Sequence, residues 1–481
     1  MLTYTTPEAE MRQQAQKKTS SVTALVIALV VYGILGILFA VIGWHVRLPR
    51  KADLIVQAPL GEPVDEVEMK DFASTAQDRP SSSAAQMAKV VTATASSPLV
   101  LPEITQDFDE TIDLGTSFGD GFGSGFGGSG TGGGSMPAGS PISERCSQKD
   151  RKKRLLEGGG DESTENAVVK GLDWLQGNQN EDGSWGSQYP VAMTGFALLA
   201  FLGHCETPDS PKYGTTVTRG IVYLVDKAIA ADGRMATSAD RHWSYEHGIA
   251  AYALAEAHSI IKYGQKKIPR LKEAVTLAIP IIINGQIDDG GWVYAYEGQG
   301  PGDTSVTGWQ MQALKAASLT GIEFEGLQKA TRRGVDFLRS VQGPEGGFGY
   351  RSPEDRYSLT GVGVLGQQMA GRGNRSSVRR GLQFLLKAQG VDYQGADANL
   401  YGWYYGTQAC FQEGGSTWEK WNTMFKDEFV GAQHADGSWP QEGSQGNAWD
   451  SSAAAGDAQI YRTTLAILML EVYYRYLPAT K

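Results

Sequence analysis

The segment RHWSYEHG places His242, Tyr245, Glu246 and His247 within six positions, and these are side chains able to move protons near neutral pH. His242 and Glu246 are four apart, so on a helix they share one face. Two readings stand for them: an acid–base pair, or groups that cap the helix and bond loop backbone. Asp303, Asp355 and Asp457 each stand at the start of an apolar helix-like run, where free N–H groups and the helix dipole stabilise a carboxylate. They are candidate acids or helix caps. Trp309, Tyr357, Trp403, Tyr404 and Tyr405 lie on the same kind of run, as does Tyr245, and either line a cavity or fill a core. His247 and Asp457 are placed with them as cavity-lining candidates. The six histidines fall at no standard ligand spacing, so the residues imply no metal and no cofactor.

What must position these residues is a repeat. GLDWLQGNQNEDGSWG carries Gln179, Asp182, Gly183 and Trp185 in a register that recurs as Gln286, Asp289, Gly290, Trp292, then Gln342, Glu345, Gly346, Phe348, and finally Gln433, Asp436, Gly437, Trp439. Ile229, Asp232, Gly233, Met235 and Gln389, Asp392, Tyr393, Gly395 are weaker copies. Self-similarity at a period of roughly fifty residues indicates stacked supersecondary units. The glycine ends a helix by taking positive φ, and the aromatic two residues on buries its ring against the helix end.

The runs ahead of each turn are amphipathic. In GVDFLRSVQ, Val335, Leu338 and Val341 form one stripe, with Asp336 and Arg339 facing away. The runs after each turn are apolar or small on nearly every face, as in MTGFALLAFLG and YRTTLAILMLEVYY, and such helices are enclosed. Alternation of the two types predicts an all-α chain, an (α/α)6 toroid of six helix pairs over residues 165–478, whose inner helix ends surround a central cavity.

The turns resemble the repeats of squalene and hopene cyclases and, more loosely, of protein prenyltransferase β subunits. The resemblance implies the toroid, and a bracing role at helix ends for Gln179, Trp185, Gln286, Trp292, Gln342, Phe348, Gln433 and Trp439. For activity it breaks. Class II terpene cyclases protonate an alkene with a D-x-D-D-T cluster; here Gly300, Pro301, Gly302, Asp303, Thr304 keeps only the last aspartate and the threonine, and Gly302 stands at the donor's place. Prenyltransferases hold zinc with Asp two residues before Cys, whereas Gln408 precedes Cys410. No GCGEQ thioester segment is present.

The rest of the chain is of other character. Residues 1–21 form a short polar tail, and residues 22–46, from Val22 to Val46, are apolar apart from one histidine and long enough to span a bilayer. Residues 47–144 read as a disordered linker, acidic and then glycine-rich, and 145–164 as a charged lead-in with a solvated basic helix. Positive charges flank the span almost equally; a short tail before a large domain favours the toroid on the extracytoplasmic side of a single-pass protein. A net charge of -10 gives no basic footprint and excludes nucleic acid as a partner. The three cysteines are too scattered to predict a disulfide framework.

Three functions follow. The first is a membrane-tethered toroid without standard cyclase activity that binds a hydrophobic small molecule, lipid, peptide or protein in its cavity. The second is an isoprenoid- or lipid-modifying enzyme with a relocated acid. The third is a carbohydrate-active enzyme, since (α/α)6 barrels also serve that chemistry.

Overall fold

The computed structural model describes residues 145–236, 242–296, 300–373, 375–388, 390–443 and 455–476. The expected tail, span and linker, and Gln389 of the fifth turn, lie outside them. Among the described residues no helix is long and apolar enough to cross a membrane.

The helices are α1 (Gln148–Glu157), α2 (Glu162–Gly177), α3 (Pro190–Gly203), α4 (Gly214–Ala230), α5 (Trp243–Ile261), α6 (Leu271–Asn284) and α7 (Thr304–Ser318). They continue as α8 (Leu327–Ser340), α9 (Tyr357–Met369), α10 (Ser376–Ala388), α11 (Leu400–Glu413), α12 (Gly415–Ala432), α13 (Ala455–Leu470) and α14 (Val472–Arg475). The described residues are all-helical, with only isolated bridges around the fourth turn.

Polarity sorts the helices. On α3 every residue after Pro190 is buried, so it has no face to give to water. On α8 only Leu327, Ala330, Thr331, Gly334, Val335, Phe337 and Leu338 are buried, a single stripe. The enclosed helices α3, α5, α7, α9, α11 and α13 each pack on the next, and α13 packs back on α3. The amphipathic helices cover them, and α12 returns to α2.

The turns weave adjacent pairs together. Gln179 Nε2 donates to the Gly183 carbonyl (2.9 Å) and, across to α4, to the Thr216 carbonyl (3.0 Å). Gln286 joins Gly290 and Ala330, Gln342 joins Gly346 and Ser377, and Gln433 joins Gly437 and Ala167 in the same way. The last of these ties α12 to α2. Indole nitrogens of Trp185, Trp292 and Trp439 donate to the carbonyls of Leu175, Ile282 and Phe429, at 2.7, 2.7 and 2.8 Å, filling acceptors that a helix end leaves open. The backbone N–H of each turn aromatic donates to a threonine on the following inner helix: Thr194, Thr307, Thr360 or Thr463. Gly183 (φ 92°) and Gly346 (φ 104°) sit against the next outer helix, where an added Cβ would lie 2.6 Å from the Arg219 carbonyl oxygen and 2.7 Å from that of Arg380. Both backbone conformation and space demand glycine.

The second turn reaches the same end with other residues. Met235 N–H meets His247 Nδ1 (3.1 Å), and His247 Nε2 meets the Ala278 carbonyl (3.1 Å). His247 is fully buried between two backbone groups, and burial pushes its pKa down to about 4.

At the C-terminal ends of α3 and α5 the ring is closed by charge. Arg475 donates to the Leu199 carbonyl (2.6 Å), to Glu256 (2.6 Å) and to the Tyr252 hydroxyl (3.2 Å), while Arg145 reaches the other oxygen of Glu256 at 3.2 Å. The side chains of Arg145, Glu256 and Arg475 are at most 1% exposed. The lead-in is solvated along α1, where only Leu155 is buried, but not at its start: Arg145 is buried, Arg151 bonds the His204 carbonyl (3.0 Å), and a disulfide joins Cys146 to Cys205, with Cα atoms 5.2 Å apart. The spacing of the three cysteines gives no sign of a disulfide framework, and the structure holds this one bridge among the described residues. The bridge closes a 59-residue separation. By chain entropy that is worth about 4 kcal/mol, so Cys146→Ser should lower the urea midpoint of the full chain markedly and reductant should do the same to the parent. Equal midpoints with and without reductant would contradict it.

Glu471 lies in this closed end with neither carboxyl oxygen hydrogen-bonded, and burial pushes its pKa up to about 8 against the pull of Arg475, His204 and Arg145. His204, which burial alone would lower, is raised to about 9 by hydrogen bonds to Glu165 and Glu206. Both groups hold a proton more tightly when folded. The Glu471 contribution is complete below its ordinary 4.5 and gone above about 8; that of His204 is complete below 6.5 and gone above about 9. His247 and His258, lowered to about 4, contribute a constant amount above 6.5. Tm should therefore fall between pH 6.5 and 8, and Glu471→Gln should flatten the fall. A Tm that rises over that window would refute the assignment.

Candidate functional site

At the opposite end, the starts of the inner helices converge on Asp303. Its N–H donates to the Trp292 carbonyl (2.8 Å), so the third turn sets its height, and the adjoining Thr304 bonds the carbonyls of Gly349 and Tyr350 in the fourth. Asp303 is extended (φ -109°, ψ 120°) and caps α7: Oδ1 accepts from Ser305 N (2.9 Å), Ser305 Oγ (2.5 Å) and Val306 N (3.1 Å).

Oδ2 of the same fully buried carboxylate has no hydrogen-bond partner. Arg351 Nη2 stands 3.8 Å away, beyond hydrogen-bond reach, and Arg351 Nε is buried without a partner of its own. The guanidinium lies 5.0 Å from the Tyr350 ring centre and 5.7 Å from that of Tyr294. The two tyrosine hydroxyls bond each other. Burial raises both above the ordinary tyrosine range, and the Asp303 carboxylate adds to the shift through hydrogen-bonding interaction with the hydroxyls and through its charge. Tyr245 OH bonds Ser305 Oγ (2.7 Å), and Tyr401 OH donates to the Ser305 carbonyl (3.2 Å). The arrangement offers a vacant acceptor and a vacant donor inside a half-buried collar of tyrosine rings.

Below the collar, aromatic side chains of non-neighbouring inner helices meet. Trp309 of α7 packs on Phe196 of α3 (5.2 Å between ring centres), stacks on Tyr404 of α11 (5.4 Å) and meets Tyr405 edge-on (5.4 Å). None of the four is more than 2% exposed. At this level the axis of the ring is filled by side chains.

The other candidates are dispersed. Asp355 is not the cap of α9; its oxygens take the N–H groups of Glu345 (3.2 Å) and Gly347 (2.7 Å) in the fourth turn. Asp457 lies inside α13 and accepts from the N–H groups of Ser187 (2.7 Å), Gln188 (3.1 Å) and Tyr189 (2.8 Å), holding the loop that enters α3. Trp403 faces outward onto Tyr393 and Phe429, away from the axis. Tyr357 opens α9 with a buried hydroxyl that has no partner. His242 precedes α5 without a capping bond, its ring 4.6 Å from that of Tyr294, and Glu246 is buried in the first turn of α5. Gly302 N–H goes to Asp289 Oδ2 (2.7 Å), and Gln408 bonds Gln312 (3.2 Å). Among the described residues no cluster of three His, Cys, Asp or Glu side chains has a metal-ligating arrangement.

Sequence reasoning missed Tyr294, Tyr350, Arg351 and Ser305. A signal existed: Tyr294 and Tyr350 each stand two residues after their turn aromatic, in WVY and FGY, and the turn register carries that position to the mouth.

No known family matches the sequence, and no curated protein does. Among solved structures the chain is similar to a type II terpene cyclase from Scytonema. With geranylgeranyl dihydroxybenzoate as substrate, that enzyme is 12% identical, with a TM-score of 0.42 over 65% of this chain and 97% of its own. In complex with merosterolic acid A as product the identity is 12% and the TM-score 0.41, over 65% and 97%. The ligand-free enzyme is 13% identical, with a TM-score of 0.41 over 64% of this chain and 98% of its own. At these values the likeness does not extend to substrate or activity.

Proposed function

We propose that the chain is a membrane-tethered six-repeat (α/α)6 toroid that recognises a ligand at its tyrosine-lined mouth and does not perform proton-initiated cyclisation. One observation carries this reading: Trp309, Phe196 and Tyr404 meet on the axis, where an extended polyene would have to lie, while the unpaired polar atoms Asp303 Oδ2 and Arg351 Nε are gathered above them. The cyclic order of helix contacts supports the six-unit ring. The anchor at residues 22–46 and an extracytoplasmic ring remain part of the proposal, and the Cys146–Cys205 disulfide supports the second of these, because such bonds persist in oxidising compartments.

Native mass spectrometry of the full chain released from membranes tests the reading. The parent should carry a retained small molecule or peptide that Asp303→Asn lacks, while both fold to the same melting temperature, since asparagine still caps a helix. Retention by the variant equal to the parent would place recognition elsewhere.

A further inference from the structure

We infer that the Asp303–Arg351 pair is a binding site for a neutral saccharide, engaged through adjacent hydroxyl groups; this rests on the recognition reading above and names its ligand class. Three observations converge. The first is a lack of close partners of both kinds: Oδ2 of the fully buried Asp303 carboxylate has the Tyr294 and Tyr350 hydroxyls acting on it but no hydrogen bond of full geometry, and the buried Nε of Arg351 donates to nothing. Unmet buried polar groups are costly, and a native site keeps them where a ligand or water completes them.

The second is charge. Asp303 and Arg351 stand 3.8 Å apart and offset one another. A cationic ligand would have to displace Arg351 from its position against Tyr294 and Tyr350, and an anionic one would face Asp303. An apolar ligand would leave both vacancies buried. A hydroxyl donates and accepts, so of two hydroxyls on adjacent carbons one can donate to Oδ2 while the other accepts from the guanidinium.

The third is the collar. Tyr245, Tyr294, Tyr350 and Tyr401 are half-buried around the pair, and a sugar ring has an apolar C–H face suited to a tyrosine ring as well as a polar edge. The Tyr294 and Tyr350 hydroxyls bond each other and act on the Asp303 carboxylate, and they give way as the ligand's hydroxyl replaces them. Among the described residues, the nearby carboxylates of Asp289 and Asp355 are taken up by turn N–H groups, which leaves Asp303 to meet the ligand.

The test titrates the full chain in lipid nanodiscs with chitotriose, cellotriose and maltotriose, read by calorimetry. At least one should bind saturably, with affinity reduced tenfold or more in both Asp303→Asn and Arg351→Met at unchanged melting temperature. No saturable binding of any trisaccharide, or binding indifferent to both substitutions, overturns the inference. If a lipid or peptide is retained by the parent and lost from Asp303→Asn while no trisaccharide binds, the saccharide falls and recognition at the mouth stands; if prenyl substrates are cyclised, the recognition reading falls with it.

Discussion

Glu256→Ala should destabilise the folded ring by about 3–5 kcal/mol, because it removes the carboxylate that two buried guanidinium groups share. One carboxylate serves both Arg145 and Arg475, and each of the three side chains is at most 1% exposed. Water cannot replace the lost partner, and an arginine cannot shed its charge. Arg475 would retain the Leu199 carbonyl, the Tyr252 hydroxyl and the Glu471 carboxyl 3.7 Å away, while Arg145 would lose its bond to Glu256. Glu256→Gln keeps the shape but not the charge and should recover only part of the loss. Urea unfolding of the two variants checks this; a cost below about 1 kcal/mol for Glu256→Ala would mean that water reaches the cluster.

Trp309→Ala should cost about 3–5 kcal/mol and leave a hollow on the axis. The tryptophan is 2% exposed and touches rings from both sides of the ring, so its removal deletes contacts that the rigid inner helices cannot collapse to restore. Close approach of those helices is built in: a Cβ at Gly361 of α9 would lie 2.5 Å from the Gly406 backbone nitrogen on α11. Added indole should raise the melting temperature of the variant and leave the parent unmoved. A small loss with no response to indole would show that Trp309 borders open space.

The turns were readable because their causes are local. Gly183 and Gly346 must be glycine for reasons of φ and of a carbonyl one helix away, and the glutamine and aromatic occupy fixed offsets around them. Where another side chain does the same work the pattern fades: His247 supplies the second turn's acceptor from the next helix, so a residue read as part of a site is a brace. Asp355 and Asp457 were placed at helix starts by spacing alone, yet their partners are turn and loop N–H groups that only the closed ring brings near. The Cys146–Cys205 bond is of the same kind, since its 59-residue separation carries no signal until the lead-in docks. Asp303 was visible as a cap, but the vacancy at Oδ2 depends on Arg351, which no spacing rule connects to it.

The most direct measurement is incubation of the full chain with squalene and with geranylgeranyl diphosphate in deuterated water, followed by mass analysis of the extracted lipids. A proton-initiated cyclase adds a solvent-derived deuteron to the terminal alkene. An axis filled by Trp309, Phe196 and Tyr404 should return both compounds unchanged and free of deuterium, whereas a cyclised, deuterated product would contradict the account.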